Sequence, residues 1–238
     1  MKLDILAFAA HPDDVEMSCG ATIVKYSSLG RKVGIVDFTS GQMGTRGTPE
    51  LRLQEAARAA EIMQLTAREN LGFEDIFFKN DIDHQIEVVK MIRKYRPEII
   101  LANAPQDRHP DHGRAAEIVK AAVFLSGLAK LETTLDGEPQ APYRPRSVYH
   151  YIQSTMLKPD FVEDVSGYWQ QRQEAIAAFA SQFHDPNGNE PETFISSPVF
   201  LQMLDARGKM LGQSIGAEYG EGFVVNRNLG VSDMFTLR

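Results

Sequence analysis

Short apolar runs alternate with helical patterns along the first 153 residues of the chain. Each run is bounded by turn residues and is too short for a helix, which is typical of strands buried in a parallel sheet. The predicted strands are Leu3 to Ala10, Lys32 to Phe38, Ala67 to Leu71, Glu98 to Ala102 and Ser147 to Gln153. The predicted helices are Val15 to Leu29, a segment entered through Pro49, Asp83 to Tyr95 and His112 to Leu128. This alternation predicts an α/β fold: a Rossmann-like, doubly wound, mostly parallel sheet with helices on both faces.

The pattern changes beyond residue 160, where two helices are predicted, from Gly167 to Phe183 and from about Ser197 to Gly216. A turn-rich stretch, Asp185 to Glu192, separates them. No internal repeat with a period of about 20 to 50 residues is present. We therefore expect residues 1–238 to form one domain with a helical C-terminal elaboration.

Composition and charge argue against several classes of function. The chain has 25 Lys and Arg against 32 Asp and Glu, a formal charge of −7, which argues against a partner that is a nucleic acid or an anionic membrane. No apolar stretch approaches the roughly 20 residues that a membrane helix needs. The single cysteine, Cys19, cannot close an intramolecular disulfide, and the N-terminus lacks a secretory hydrophobic region. These features predict a cytoplasmic protein.

Two polar motifs follow predicted strands: HPDD at residues 11–14 and HPDH at residues 109–112. In open α/β sheets, ligands bind beyond the carboxyl ends of the strands, where the strand order reverses. With the order 3-2-1-4-5, the loops after strands 1 and 4 face the same crevice. The first loop has neither a G-x-G-x-x-G fingerprint nor a Walker lysine, so a dinucleotide site is excluded there. We expect the two motifs to meet in space.

Imidazole and carboxylate groups in this combination indicate a metal site. Three such ligands with an open position suit catalytic Zn²⁺, and a set of two histidines and one carboxylate also suits Fe²⁺. The remaining histidines, His84, His150 and His184, have no clustered partners and are expected to have ordinary structural roles. Cys19 is expected in the core, and Glu50, Glu55 and Glu61 on a solvated helix face.

The pair AHPDDVE and HPDH resembles the PIG-L/LmbE-like zinc N-deacetylases, which act on N-acetylglucosamine conjugates. The resemblance extends over GTRGTPELRLQEA, FASQF and EYGEGF. Within that family the chain is most similar to the bacillithiol-pathway enzymes that deacetylate N-acetylglucosaminyl-malate, on the basis of DRHPDH, SQF and Y-x-E-G-F. The resemblance also implies a homo-oligomer, with a hexamer as one form.

The same resemblance implies roles for individual residues. Zinc would be held by His11, Asp14 and His112. Asp13 would be the general base, and His109 would stabilise the tetrahedral intermediate, with Asp111 orienting or charging it. The substrate would be a small sugar conjugate, and an anionic malate group would suit Arg52 and Arg108 as contacts. Asp75 lies where the family often binds a sugar hydroxyl, although the usual flanking residues are absent, and Phe200 lies where some members have an oxyanion-donating tyrosine.

Other functions remain open at this stage. A deacetylase of another N-acetylglucosamine glycoconjugate would use the same residues. A metal-dependent phosphoesterase would also use His and Asp clusters, often around two metals, so the number of metals per chain discriminates it. A non-catalytic metal- or sugar-binding module would need neither Asp13 nor His109.

Overall fold

The computed structural model describes residues 1–183 and 190–236. A seven-stranded sheet has the order β3-β2-β1-β4-β7-β9-β8, and β5 and β6 form a separate hairpin. The strands are β1 (Ile5–Ala9), β2 (Val33–Asp37), β3 (Ala67–Asn70), β4 (Ile99–Ala102), β5 (Thr134–Leu135), β6 (Glu138–Pro139), β7 (Ser147–Tyr151), β8 (Phe161–Asp164) and β9 (Gly220–Val225). The helices are α1 (Asp14–Ser28), α2 (Pro49–Ile62), α3 (Ile82–Tyr95), α4 (Pro110–Ser126), α5 (Trp169–Ala177) and α6 (Pro198–Ser214). Within the described ranges, no helix is long and apolar enough to cross a membrane.

The predicted α/β class and strand order are confirmed. Strands β3, β2, β1, β4 and β7 are parallel and adjacent in that order. The helical C-terminal elaboration is present as α5 and α6, and β8 and β9, which were not predicted, add two antiparallel strands to the sheet. Strand β9 was not predicted because it contains two glycines, Gly220 and Gly222, which are uncommon in strands. A Cβ atom on Gly220 would lie 2.6 Å from Val162 Cγ1 and 2.8 Å from the Gly212 nitrogen, so glycine is required there by close packing.

The sheet separates two apolar layers. Successive side chains of a strand point to opposite faces, and β1 follows that alternation throughout. Ile5, Ala7 and Ala9 belong to the cluster that also contains residues of α1 and α5. Leu6 and Phe8 belong to the cluster on the other face, with residues of α3 and α4. Because both faces are covered, β1 is apolar throughout, as its sequence indicated.

Helix α1 is broken near its middle. Cys19 has non-helical dihedral angles, φ −139° and ψ 23°, and its side chain is buried in the core as expected. The Glu221 carboxylate accepts hydrogen bonds from the backbone N–H groups of Ala21 (3.0 Å) and Thr22 (2.7 Å). Arg172 Nε lies 3.4 Å from Glu221 Oε1. Glu221, from the EYGEGF segment, therefore caps the second half of α1 as a side chain caps a helix N-terminus.

Replacing Glu221 by glutamine is expected to lower the free energy of unfolding by about 3 kcal/mol, because the Arg172 guanidinium loses its buried counter-charge. The glutamine amide group would also place a donor against the N–H groups that the carboxylate now accepts. Urea denaturation measures the difference. Glu218→Gln, an exposed change three residues away, is the matched control and should stay within about 0.5 kcal/mol of wild type. Equal stabilities for the two variants would contradict the capping role.

Candidate metal centre

The loops that follow β1 and β4 meet at the carboxyl edge of the sheet. The rings of His11 and His109 are 4.8 Å apart between centroids, and those of His109 and His112 are 5.1 Å apart. Helix α4 begins at Pro110, two residues earlier than predicted, because His109 is its N-terminal cap. His112 therefore lies in the first helical turn, where it faces the β1 loop. The expectation that the two motifs meet is confirmed.

Asp14 lies between the two histidines that were predicted to be ligands. Its Oδ1 atom is 3.1 Å from His112 Nε2, and its Oδ2 atom is 3.7 Å from His11 Nδ1. Two ligand atoms at about 2.1 Å from a tetrahedral metal lie about 3.4 Å apart, and the separation between Asp14 Oδ1 and His112 Nε2 is close to that value. The His11 distance is to the other oxygen of the same carboxylate. Nitrogen and carboxylate donors at these distances fit a Zn²⁺ or Fe²⁺ ion. The three residues present are a suitable donor set for the metal that the sequence implied.

The other ring nitrogen of each histidine faces a carboxylate. His112 Nδ1 lies 2.6 Å from Asp107 Oδ2, so a neutral His112 would carry its proton on Nδ1 and leave Nε2 free. His11 Nε2 lies 3.1 Å from Asp75 and 3.3 Å from Asp111, which leaves its Nδ1 free. Sequence reasoning missed Asp107. Burial would lower the pKa of His11, but the neighbouring carboxylates of Asp111, Asp14 and Asp75 outweigh burial and hold that pKa well above its usual value.

Asp75 and Asp111 both contact the His11 ring, and each carboxylate also has a second partner. With His11 they form a group whose ligand atoms lie within 4.8 Å of one another. Arg114 forms an ion pair with Asp111, and the Met43 N–H donates to Asp75 at 2.9 Å. A second cation at this position would compete with the Arg114 guanidinium. The arrangement therefore favours one metal per chain.

Asp13 occupies a backbone conformation that few residues adopt. Its φ of 113° lies in the left-handed region, where Asp and Asn are the commonest residues after glycine. Arg52, from α2, donates to Asp13 Oδ2 at 3.0 Å and to the Pro12 carbonyl at 2.9 Å. Burial raises the pKa of Asp13 to about 7, although the Arg52 charge opposes that shift. The structure thus places Arg52 against the carboxylate, a contact that the sequence did not predict.

The structure corrects the expected relation between His109 and Asp111. The Asp111 carboxylate bonds to His11 and Arg114, whereas His109 Nδ1 accepts a hydrogen bond from the Asp111 backbone N–H at 3.3 Å. Burial lowers the pKa of His109, and the charges of His11 and His112 lower it further, so the net shift is downward. Asp111 raises this pKa by a smaller amount. A neutral His109 that accepts at Nδ1 carries its proton on Nε2 and remains a donor.

A cavity of about 330 Å³ opens over this cluster. Arg108 lies at its exposed edge, with its guanidinium 4.2 Å from the centroid of the Phe194 ring. Phe200 lines the cavity and is buried. Among the described lining residues none is a tyrosine. The expected roles of Arg52, Arg108 and Asp75 toward a substrate stay predictions.

The FASQF segment holds the loop between β2 and α2. Glu55 accepts hydrogen bonds from the Ser181 N–H and hydroxyl, both at 2.7 Å, and Gln182 donates to the Arg46 carbonyl at 2.9 Å. The expectation that Glu55 is solvated is therefore wrong, because its partner comes 126 residues later in the chain. Glu50 and Glu61 are exposed as expected.

His84 and His150 lie away from the cluster. His84 Nδ1 lies 2.7 Å from Asp81. His150 Nδ1 lies 2.8 Å from the Asn103 carbonyl oxygen, and its Nε2 atom lies 3.1 Å from Asn226 Nδ2. Both fit the structural roles expected of them. His184 lies outside the described residues.

Comparison with known proteins agrees with the geometry. Residues 6–123 match the family described as PIG-L, GlcNAc-PI de-N-acetylase. Diacetylchitobiose deacetylase of Thermococcus kodakarensis is 31% identical over 189 residues, covering 75% of this chain and 70% of that protein. The conserved protein TT1542 of Thermus thermophilus superposes with a TM-score of 0.85 at 34% identity, covering 97% of this chain and 98% of its own. N,N'-diacetylchitobiose deacetylase of Pyrococcus horikoshii gives a TM-score of 0.80 at 25% identity, covering 93% and 82%.

Proposed function

Because the chain belongs to the family of PIG-L (GlcNAc-PI) de-N-acetylases, we propose that it is a metal-dependent hydrolase that removes the acetyl group from an N-acetylglucosamine conjugate. The observation that carries the proposal is the convergence of His11, Asp14 and His112 beside Asp13 at the base of one cavity. Zn²⁺ is the proposed metal, with Fe²⁺ as the alternative. A bound metal of this kind supplies Lewis-acid activation of water and of the acetamide carbonyl.

Asp13 is the proposed base and acid of the reaction. Arg52 engages Oδ2 of this carboxylate, and among the described contacts Oδ1 has no hydrogen-bond partner. Oδ1 can therefore accept a proton from the water that attacks the acetamide carbon. When the C–N bond breaks, the same carboxyl group returns that proton to the leaving amine, so water and amide become acetate and a free amine. Arg52 restricts the side chain to one orientation throughout.

His109 is the proposed donor to the developing oxyanion. Its Nδ1 accepts from the Asp111 N–H, so the Nε2–H is the group available to a substrate oxygen. Hydrogen bonds of this type typically contribute about 3 kcal/mol to stabilising the transition state. Neither a serine nor Cys19 is needed as a nucleophile, since Cys19 is fully buried in the core.

The proposed substrate is N-acetylglucosaminyl-malate, the acetylated intermediate of bacillithiol biosynthesis. Support for an anionic conjugate comes from Arg108, a planar cation at the exposed edge of the cavity. Arg52 gives weaker support for an anionic substrate, because its guanidinium already donates to Asp13 and Pro12. A deacetylase of a neutral glycoconjugate is the alternative and would not need Arg108.

Acetate and primary-amine release should be measured with N-acetylglucosaminyl-malate, free N-acetylglucosamine and N,N'-diacetylchitobiose as substrates. We expect the malate conjugate to be strongly preferred. Equal turnover of all three would overturn the malate assignment and leave the deacetylase intact. If none of them reacts with metal-loaded protein, phosphoesters are the next substrates to assay, and turnover of those would replace the deacetylase proposal.

Arg108→Met is expected to lower kcat/KM for the malate conjugate about 10-fold, the effect of one lost charge-assisted hydrogen bond. Methionine keeps an unbranched stem over Phe194 but removes the charge. Turnover of uncharged N-acetylglucosamine by the same variant is the internal control and should not change. A proportional loss with both substrates would show that Arg108 does not recognise the anionic group.

A further inference from the structure

The Asp14 carboxylate is enclosed by two side-chain amides that follow neighbouring strands. Asn103 comes directly after β4, and Gln153 lies two residues beyond β7. Asn103 Nδ2 donates to Asp14 Oδ2 at 3.0 Å, and Gln153 Nε2 donates to Asp14 Oδ1 at 3.0 Å. All three side chains are buried, with exposed fractions of 2%, 0% and 4% for Asp14, Asn103 and Gln153. Each carboxylate oxygen thus has an amide donor that solvent does not replace.

Backbone groups determine which way each amide faces. The Ala10 N–H donates to Asn103 Oδ1 at 3.0 Å, which directs Nδ2 toward Asp14. The Ala104 N–H donates to Gln153 Oε1 at 3.0 Å, which directs Nε2 toward Asp14. Asn103 Nδ2 also donates to Gln153 Oε1 at 3.1 Å and joins the two amides. Flipping either amide would place two donors against each other, so the orientation has one stable solution.

The hydrogen bonds that Asp14 accepts leave one carboxylate lone pair free for a metal. Asp14 Oδ2 accepts from Asn103 and from the His11 backbone N–H, at 3.0 Å each, which uses both of its lone pairs. Oδ1 accepts from Gln153 and has one lone pair left, on the side where His112 Nε2 lies 3.1 Å away. We propose that Asn103 and Gln153 form a carboxamide clamp that fixes Asp14 so that it offers the metal a single lone pair, on Oδ1. This inference rests on the proposed metal centre.

The clamp residues are positioning residues, since they act through Asp14. A ligand held in one orientation loses no side-chain freedom when the metal binds, and partners of metal ligands typically contribute 10- to 100-fold in affinity. The clamp therefore predicts that metal affinity depends on amides that do not themselves bind the ion.

The test compares Gln153→Met with Gln182→Met. Both side chains are buried and line the same cavity, but Gln182 donates to Arg46 and Ser181 and not to Asp14. The Zn²⁺ dissociation constant is measured by competition with a chromophoric chelator. We expect it to rise about 10- to 100-fold in Gln153→Met and to change less than about twofold in Gln182→Met. The thermal midpoints of the two metal-free variants should be similar. If Gln153→Met does not fold, Gln153→Ser, which leaves room for water at the Ala104 N–H, takes its place.

Each outcome decides a different claim. Unchanged affinity in the Gln153 variant, or an equal loss in both variants, would overturn the clamp while the metal centre stands. Failure of the wild-type protein to bind Zn²⁺ would overturn the metal centre and the clamp together.

Discussion

Asp13→Asn is expected to lower kcat about 10³-fold without releasing the metal, because asparagine cannot accept the proton of the attacking water. The change is conservative in structure. Asparagine tolerates the left-handed backbone conformation at this position, and its carbonyl oxygen can still accept the hydrogen bond from Arg52. Steady-state turnover and the metal content of the purified variant are both measured.

Asp83→Asn is the matched control, since Asp83 is an exposed residue of the first turn of α3 and does not line the cavity. It should behave as wild type in both measurements. Full activity in Asp13→Asn would exclude the residue as the base. Loss of metal from that variant would instead show that Asp13 contributes to holding the ion.

His112→Ala is expected to reduce turnover by at least about 10³-fold and to lose stoichiometric metal, since Lewis-acid activation contributes several kcal/mol to the reaction. Chelator treatment of the wild-type protein should give the same loss, and reloading with Zn²⁺ should restore activity. His84→Ala is the control, because that ring contacts Asp81 and Phe73 away from the cluster. It should retain both metal and turnover.

The metal content of the wild-type protein provides a further check. We expect one ion per chain, because Arg114 already forms an ion pair with Asp111, one of the two carboxylates on the far side of His11. A ratio near two would favour a two-metal phosphoesterase. An active His112→Ala variant with full metal content would show that His112 is not a ligand.

The strand order and the meeting of the two motifs could be predicted because both depend on short-range patterns. Buried strands are recognisable from their own residues, and the switch-point rule then places the residues that follow β1 and β4 together. The same rule could have indicated Asn103 and Gln153, which stand just beyond the ends of β4 and β7 at that edge. They were missed because amides carry no charge and are ordinary loop residues.

Other contacts could not be read from the sequence. The residues around Glu55 in the sequence are typical of a solvated helix face. Its burial depends instead on Ser181, a residue far along the chain. Arg52 was assigned to the substrate by resemblance, whereas its contact with Asp13 depends on how α2 packs beside the β1 loop. The partner of His112 was missed for a similar reason, because the conformation of its loop decides where Asp107 points. Contacts between side chains that are far apart in the sequence can be identified only in the folded structure.

Because α1 is broken at Cys19, its second half depends on a residue that is synthesised about 200 residues later. Every proposed metal ligand precedes residue 113, and the match to the deacetylase family ends at residue 123. The helix that begins with Asp14 nevertheless depends on Glu221, in the last strand of the sheet, to cap its second half. On the ribosome, all the proposed metal ligands are therefore synthesised well before the residue that caps the second half of α1. A polypeptide truncated before β9 would keep the complete set of proposed ligands and lose the carboxylate that caps the second half of α1.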